Sequence, residues 1–147
     1  MSTPKILVIE DNSADIFILR HALDTVGEPY ELEVLTDGEA ALAFVAEHRE
    51  GAREPEPCVI LLDLHLPKYN GLEVLAAIRK EPPLSHIHVL VLTSRASPEE
   101  EEQIVILGGV CYLKPTGLPA IKQLASELIA ICKGHVTDHT TAVFRRS

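Results

Sequence analysis

An apolar run that ends in a single aspartate constrains the fold of this chain more than any other feature. Residues 58–62 read Cys-Val-Ile-Leu-Leu, Asp63 follows at once, and Pro67 and Gly71 then turn the chain. Short runs of this kind are typical of strands that are buried on both faces of a parallel sheet. Because a carboxylate buried there without a partner is costly, we expect Asp63 in the ligand-binding crevice beyond the strand or beside a cation. The alternative is that Asp63 only caps a turn or a helix.

Similar apolar runs alternate with segments of helical spacing along the chain. The predicted strands are residues 5–9, 30–36, 59–62, 89–92 and 110–113. The predicted helices end before Gly27, cover 40–48 and 72–80, start at Ser97, and cover 118–132. This alternation favours an α/β fold with a parallel sheet, helices on both faces and right-handed crossovers. We expect a flavodoxin-like, doubly wound sheet of five strands in the order 2-1-3-4-5, with five helices.

Capping residues mark the ends of several predicted helices. Either Asn12 or Ser13 starts the first helix, and Gly27 ends it. Residues 36–39, Thr-Asp-Gly-Glu, resemble a capping box for the second helix. Residues 97–100, Ser-Pro-Glu-Glu, combine a serine cap, a proline in the first turn and a glutamate three residues after the cap.

Length and hydropathy predict one soluble domain. The 147 residues fit a single domain, 1–147, with a core over about residues 5–132 and a C-terminal tail, 134–147, without a clear pattern. No apolar run approaches the ~18 residues of a membrane span, and the N-terminus does not resemble a signal peptide. We therefore expect a cytoplasmic protein without a membrane partner.

Charge and cysteine content narrow the partners further. A net charge of −9 and an aromatic content of 4% disfavour nucleic acid and favour a protein partner or a cation. Three cysteines, Cys58, Cys111 and Cys132, lie in apolar surroundings. Because their number is odd and the predicted compartment is reducing, we expect core thiols, not a disulfide or a metal site.

Polar residues follow the predicted strands where each strand ends. Glu10 and Asp11 follow the first strand, Asp63 the third, Thr93 the fourth and Lys114 the fifth. Carboxyl ends of parallel strands share one edge of a sheet, so these side chains should converge. Three converging carboxylates repel unless a cation neutralises them or one takes a proton, and Mg²⁺ suits such a site. Together with the Lys114 ammonium and the Thr93 hydroxyl, these carboxylates form a site suited to phosphoryl transfer, with Asp63 as the nucleophile.

Taken together, these residues resemble the receiver domain of bacterial two-component response regulators. The resemblance covers about residues 5–132 and rests on Glu10-Asp11, Asp63, Pro67, Gly71, Thr93-Ser94 and Lys114-Pro115. It implies that Asp63 accepts a phosphoryl group from a phosphohistidine on a sensor histidine kinase, that Thr93 moves toward this group and that Lys114 pairs with it. Residues 64–71, Leu-His-Leu-Pro-Lys-Tyr-Asn-Gly, are most similar to single-domain regulators that partner bacterial phytochrome kinases.

The resemblance also implies a set of metal ligands. Asp11 and Asp63 would bind Mg²⁺ or Mn²⁺ directly, Glu10 would bind through water, and the His65 main-chain carbonyl would complete the protein ligands. The His65 side chain either touches the phosphoryl group or is a solvated loop histidine.

The resemblance implies that the chain is a phosphoacceptor signalling protein and not an enzyme that acts on other substrates. No effector domain is recognisable after Cys132, so we expect signalling by phosphorylation-dependent protein contacts or by phosphorelay. Only self-phosphorylation and slow autodephosphorylation are expected. The alternatives are a phosphorylation-inactive receiver-like scaffold and a small phosphatase of the haloacid dehalogenase type. Such a phosphatase normally has a second aspartate where this chain has His65.

Two positions depart from the receiver pattern. Asn70 stands where an aspartate often precedes the glycine, a change that we expect to be harmless. Tyr112 lies two residues before Lys114, whereas the switch aromatic of the family usually lies three before, where this chain has Cys111. Because strand side chains alternate faces, either a bulge restores Tyr112 to the switch position or the aromatic switch is lost.

Four consecutive apolar residues in the predicted fourth helix, Ile104, Val105, Ile106 and Leu107, predict an association surface. At ~100° per residue they point around most of the helix, whereas a helix on a sheet buries one stripe. At least one, and by our estimate two, should face water in a monomer. We expect a homodimer through the fourth helix, fifth strand and fifth helix, a face through which many receivers pair. Shielding by the tail, or a contact kept for the kinase, would be alternatives.

Overall fold

The computed structural model describes residues 3–49 and 56–134, in which strands and helices alternate. The elements are β1 (Lys5–Ile9), α1 (Ser13–Val26), β2 (Glu31–Leu35), α2 (Gly38–Arg49), β3 (Val59–Asp63), α3 (Gly71–Lys80), β4 (His88–Thr93), α4 (Pro98–Ile106), β5 (Val110–Leu113) and α5 (Leu118–Cys132). The predicted alternation is confirmed, with boundaries that differ by one or two residues. None of the helices in this described part combines the length and apolar character needed to cross a membrane. The predicted tail lies outside the described residues from position 135 onward.

All five strands pair in parallel, in the predicted order β2-β1-β3-β4-β5. At the carboxyl end of the sheet, Ile9 of β1 lies opposite Leu62 of β3, and Thr93 of β4 lies opposite Leu113 of β5. The residues that follow these strands therefore emerge at one edge, which is where the sequence predicts the functional site.

Alternate residues of the central strands pack into two separate cores. Leu7 and Ile9 contribute to a first cluster, together with side chains of α2, α3 and α4. Ile6 and Val8 contribute to a second cluster, together with side chains of α1 and α5. All five residues of β3 are buried, as expected for a central strand with helices on both faces.

Side-chain caps define the helix starts, and one of them differs from the prediction. Asn12 caps α1 by accepting from the Asp15 N–H (3.0 Å), and Ser97 forms the predicted capping box with Glu100 in α4. For α2 the predicted box from Thr36 is wrong, because the Asp37 side chain accepts from the Ala40 N–H (2.8 Å). Asparagine, serine and aspartate all make the same bond to the N–H three residues on, so neighbouring candidates compete for one helix start.

Asn70, which departs from the receiver pattern, has a structural role of its own. Its side chain accepts from the Glu73 N–H (3.1 Å), and the Glu73 carboxylate accepts from the Asn70 N–H (3.1 Å). This reciprocal capping box starts α3. Asparagine and aspartate are comparable caps, which agrees with the expectation that this departure is harmless.

The prediction that all three cysteines are core thiols is wrong for two of them. Cys58 and Cys132 form a disulfide, with Cα atoms 5.2 Å apart across a sequence separation of 74. Both pack against the second cluster, whereas Cys111 packs against the first. The expected apolar surroundings are thus confirmed. The pairing was missed because it depends on α5 returning to the start of β3, which local sequence does not show.

The four apolar residues of α4 divide as expected between core and solvent. Ile104 is fully buried, whereas Val105 is 69% and Ile106 is 65% exposed. Leu107, which follows the helix, is partly buried against the first cluster. The prediction that one or two of these side chains face water is confirmed.

Candidate functional site

Three carboxylates meet at the carboxyl end of the sheet. Carboxylate oxygens of Glu10, Asp11 and Asp63 all lie within 4.8 Å of one another. Glu10 and Asp63 are both 6% exposed, whereas Asp11 faces solvent. The cluster forms because β1 and β3 are neighbours and end side by side, as the predicted strand order requires.

The Lys114 ammonium lies among these carboxylates. Its Nζ atom is 3.3 Å from Glu10 Oε1, 3.4 Å from Asp63 Oδ2 and 3.8 Å from Asp15 Oδ2. Burial by itself would lower the pKa of Lys114, but the charges of Asp63 and Glu10 outweigh it, so the pKa is raised. Sequence reasoning missed Asp15, which faces the site only because the first turn of α1 lies over the strand ends.

Negative charge exceeds positive charge in this cluster. The pKa of Glu10 is raised to about 7, first by burial and then by the neighbouring charge of Asp63. The Asn12 N–H, which donates to Glu10 Oε2 (3.1 Å), and the Lys114 charge oppose this rise only in part. A set of carboxylate oxygens that a single ammonium does not neutralise fits a hard divalent cation. The acidic cluster is thus consistent with divalent metal binding.

Main-chain hydrogen bonds orient Asp63 and hold the loop that follows it. The His65 N–H donates to Asp63 Oδ1 (3.1 Å), and the Gly71 N–H donates to the Leu64 carbonyl (2.8 Å). A Cβ atom at Gly71 would lie 2.7 Å from the Asp63 carbonyl oxygen, so only glycine fits this approach. The Pro67 carbonyl in turn accepts from the Gly38 N–H (3.2 Å), which ties the loop to the start of α2.

The predicted switch residue Thr93 ends β4, and its hydroxyl is engaged by the main chain. Its side chain is fully buried, donates to the Arg95 carbonyl and accepts from the Arg95 N–H (3.0 Å). The His65 imidazole, which is more than half exposed, lies 3.5 Å from the Thr93 hydroxyl and 3.9 Å from a Glu100 oxygen. The single hydroxyl proton of Thr93 is therefore committed to the Arg95 carbonyl in this structure.

The site opens to solvent through a polar cavity with a volume of about 550 Å³. The structure brings together the predicted residues Glu10, Asp11, Asp63, His65 and Lys114 in its lining. The cavity is also lined by three small polar residues, Asn12, Ser13 and Ser94. A ligand that enters it can reach the Asp63 carboxylate directly.

Tyr112 does not lie on the face that an aromatic switch would use. The pairing of β4 with β5 is continuous, with Leu92 opposite Tyr112 and Thr93 opposite Leu113, so the bulge that would restore Tyr112 is absent. Tyr112 is 1% exposed and packs with Leu92 in the second cluster. Thr93 directly follows Leu92 in β4, so its side chain points to the opposite face of the sheet from Leu92 and Tyr112. Cys111, three residues before Lys114, packs on the first cluster. This geometry favours loss of the aromatic switch.

Known proteins are similar to this chain in sequence and in architecture. The sequence model of the response regulator receiver domain matches residues 6–126. Response regulator Rcp1 of Synechocystis sp. is 42% identical over 108 residues, which are 74% of each chain. The structure of the phosphorylated cyanobacterial phytochrome response regulator RcpA aligns with a TM-score of 0.79 and 34% identity, over 92% of this chain and 98% of that one. The Mn²⁺-bound form of Rcp1 aligns with a TM-score of 0.76 and 36% identity, over 91% and 97%. The chain therefore belongs to the response regulator receiver domain family, whose members act in two-component signal transduction.

Proposed function

We propose that Asp63 accepts a phosphoryl group from a phosphohistidine of a sensor histidine kinase. The observation that carries this proposal is the environment of the Asp63 carboxylate. One oxygen accepts from the His65 N–H and the other lies beside the Lys114 ammonium, at the floor of a solvent-open cavity. Asp63 is thus oriented, compensated in charge and reachable, which are the requirements for a carboxylate nucleophile.

Each step of the transfer follows from the residues present. A carboxylate oxygen of Asp63 attacks phosphorus, the P–N bond of the phosphohistidine breaks, and the imidazole leaves with the electron pair. The product is an acyl phosphate, beside which the Lys114 ammonium compensates the added negative charge. Asp11 and Asp63 directly, Glu10 through water and the His65 carbonyl would hold Mg²⁺ or Mn²⁺. Such an ion neutralises charge on the phosphoryl oxygens.

The carbon–oxygen–phosphorus linkage can be tested without the kinase. With acetyl phosphate and Mg²⁺, the wild-type protein should gain one acid-stable, base-labile phosphoryl group per chain, detected by intact mass. Asp63→Asn should abolish this gain. Asp15→Asn is the matched control, because Asp15 also contacts Lys114 but should not accept the group. Stoichiometric labelling of Asp63→Asn would refute the proposal, and turnover of many equivalents would instead favour a phosphatase.

We further propose that the kinase is a bacterial phytochrome and that this protein acts in the cytoplasm. The support comes from two similar structures that are described as phytochrome response regulators. These are the cyanobacterial regulator RcpA, at 34% identity and a TM-score of 0.79, and the bacteriophytochrome response regulator AtBRR, at 32% identity and a TM-score of 0.67. Phosphoryl transfer from a panel of purified kinases tests this. A phytochrome kinase should transfer faster than kinases with other sensor domains, and the reverse ranking would reject the assignment.

We also propose a homodimer through α4, β5 and α5. Exposed apolar side chains lie on all three elements: Val105, Ile106, Leu113 and Leu118. Burying such side chains across a two-fold axis contributes ~1.5–3 kcal/mol for each one that becomes fully covered. Light scattering on a sizing column should show a dimer that Ile106→Glu disrupts. Phe17→Glu, at an equally exposed apolar residue of α1, should leave it intact. A monomer, with and without beryllofluoride, would reject the dimer.

A further inference from the structure

Cys58 and Cys132 meet at the edge of the sheet opposite the carboxylates. Cys58 directly precedes β3, whereas Asp63 ends that strand, and Cys132 is the last residue of α5. Their Cα atoms are 5.2 Å apart. This separation lies within the ~4.4–6.8 Å over which two cysteines can bond without backbone movement.

Backbone contacts hold both cysteines in place independently of the disulfide. The Cys58 N–H donates to the Lys5 carbonyl (2.9 Å), which anchors it beside β1. The end of α5 is closed by bonds from the Lys133 N–H to the Ile129 carbonyl (3.0 Å) and from the Gly134 N–H to the Ile131 carbonyl (3.0 Å). Cys132 also packs against the second cluster, as Cys58 does. Because this packing does not require the sulfur–sulfur bond, we expect the reduced thiols to remain neighbours. Closure of the disulfide is then an intramolecular step between positioned groups.

Both cysteines are also partly exposed, unlike the core residues around them. A small thiol or disulfide in solution can therefore reach them. We propose that Cys58 and Cys132 are a reversible redox pair that exchanges with low-molecular-weight disulfides and thiols of the glutathione class. The oxidation state of the pair, which lies at the opposite end of β3 from Asp63, then depends on the ratio of thiol to disulfide in its compartment.

The exchange takes place in two balanced steps. A thiolate of one cysteine attacks a sulfur of glutathione disulfide, so that a mixed disulfide forms and one glutathione thiolate leaves with the bonding electrons. The thiolate of the second cysteine then attacks the protein sulfur of the mixed disulfide and displaces the second glutathione thiolate. The protein loses two protons and two electrons; glutathione disulfide gains the two electrons, and the two glutathione thiolates that leave take up the two protons. Reduced glutathione reverses both steps.

Oxidation should stabilise the half of the chain that carries most of the site. The disulfide closes the segment from Cys58 to Cys132, which includes Asp63, Thr93 and Lys114. A cross-link over a sequence separation of 74 restricts the unfolded chain strongly. We expect the melting temperature of the oxidised protein to exceed that of the reduced protein by on the order of 10 °C.

Thiol counting in glutathione buffers tests the proposal. The full chain is equilibrated with oxidised or reduced glutathione, quenched in acid, unfolded and alkylated, and its mass is measured. In the oxidised buffer we expect one alkylated cysteine, Cys111, without a glutathione adduct, and in the reduced buffer three. The change should reverse on transfer between buffers. Cys111→Ser is the matched control and should keep the redox-dependent shift in melting temperature.

Three results with the wild-type protein would overturn the proposal. These are three alkylated thiols in the oxidised buffer, a disulfide that reduced glutathione does not open, and cross-links between chains. Cys58→Ser should lose the redox-dependent shift in melting temperature and should accumulate a glutathione adduct on Cys132. If that variant fails to fold, Cys132→Ser provides the same readout, with the adduct on Cys58. A redox-dependent shift that persists in both variants would also reject the pair.

Discussion

Two half-buried cations, Arg79 and Lys114, lie in different regions of this protein and have different kinds of partner. Among the described residues, the partners of the Arg79 guanidinium are all main-chain carbonyls: those of Leu107 (2.6 Å), Ile87 (2.8 Å), Ser85 (2.9 Å) and Gly108 (3.0 Å). Within the part of the chain that the structure describes, the ion-pair partners of Lys114 are instead the carboxylates of Glu10, Asp15 and Asp63. Burial lowers the pKa of Arg79, whereas neighbouring carboxylates raise the pKa of Lys114.

The difference separates a structural junction from a binding site. The carbonyls of Leu107 and Gly108 follow the end of α4 and lack helical partners, so Arg79 completes their hydrogen bonds and joins α3 to α4. Around Lys114 the negative charges stay in excess, because three carboxylates, those of Glu10, Asp15 and Asp63, lie within 3.8 Å of one ammonium. A satisfied cluster resists change, whereas an unbalanced one can take up a cation or a phosphoryl group and release it.

Removing the Lys114 charge should have the largest effect. In Lys114→Met, labelling of Asp63 by acetyl phosphate should slow by about 100-fold, because no positive side chain then compensates the developing charge. Initial rates from intact mass measure the effect. Lys122→Met, at an exposed residue of α5, is the control and should label normally. A normal rate in Lys114→Met would remove the contrast with Arg79.

Replacing Arg79 should affect stability and spare the chemistry. Arg79→Met leaves four carbonyls without their donor, so we expect the free energy of unfolding to fall by about 3 kcal/mol. Urea denaturation measures this, with Lys80→Met, at an exposed neighbour, as the control. The folded variant should still label at Asp63. A stable Arg79→Met that fails to label would show that Arg79 belongs to the site.

A pH dependence should follow from Glu10 when divalent ions are removed by a chelator. The folded-state pKa of about 7 lies above the ordinary value of 4.5, so folding favours the protonated carboxyl. Its contribution to stability is fully present below pH 4.5 and is lost as the pH rises through 7. Relative to Glu10→Gln, the wild type should lose roughly 3 kcal/mol as the pH rises through these values. Denaturation of both proteins across this range measures it, and parallel curves would contradict it.

The smallest effect concerns the capping box that starts α3 beside the site. Asn70→Ala should lower the free energy of unfolding by ~1 kcal/mol, because the Glu73 N–H loses its acceptor. Asn70→Asp retains an acceptor and should be close to neutral. Equal losses in both variants would show that the cap contributes through another contact, and thermal denaturation distinguishes the two outcomes.

Much of the fold and of the candidate site could be predicted from the sequence, because both depend on short-range patterns of apolar and polar residues. Apolar runs bounded by polar residues identified all five strands, and their alternation with helices led to the observed strand order. Since parallel strands end at one edge, the predicted meeting of Glu10, Asp11, Asp63 and Lys114 followed from strand order alone. The roles assigned to these residues remain predictions for the experiments above.

What the sequence by itself determined was therefore the set of elements, their order and the edge at which the polar residues gather. Tertiary structure alone decided the Cys58–Cys132 pairing, the partners of Arg79, the approach of Asp15 to Lys114 and the face on which Tyr112 is buried. The physical reason is distance along the chain. Periodicity and capping act within a few residues, whereas these contacts join segments whose separation and register are set only when the helices pack on the sheet.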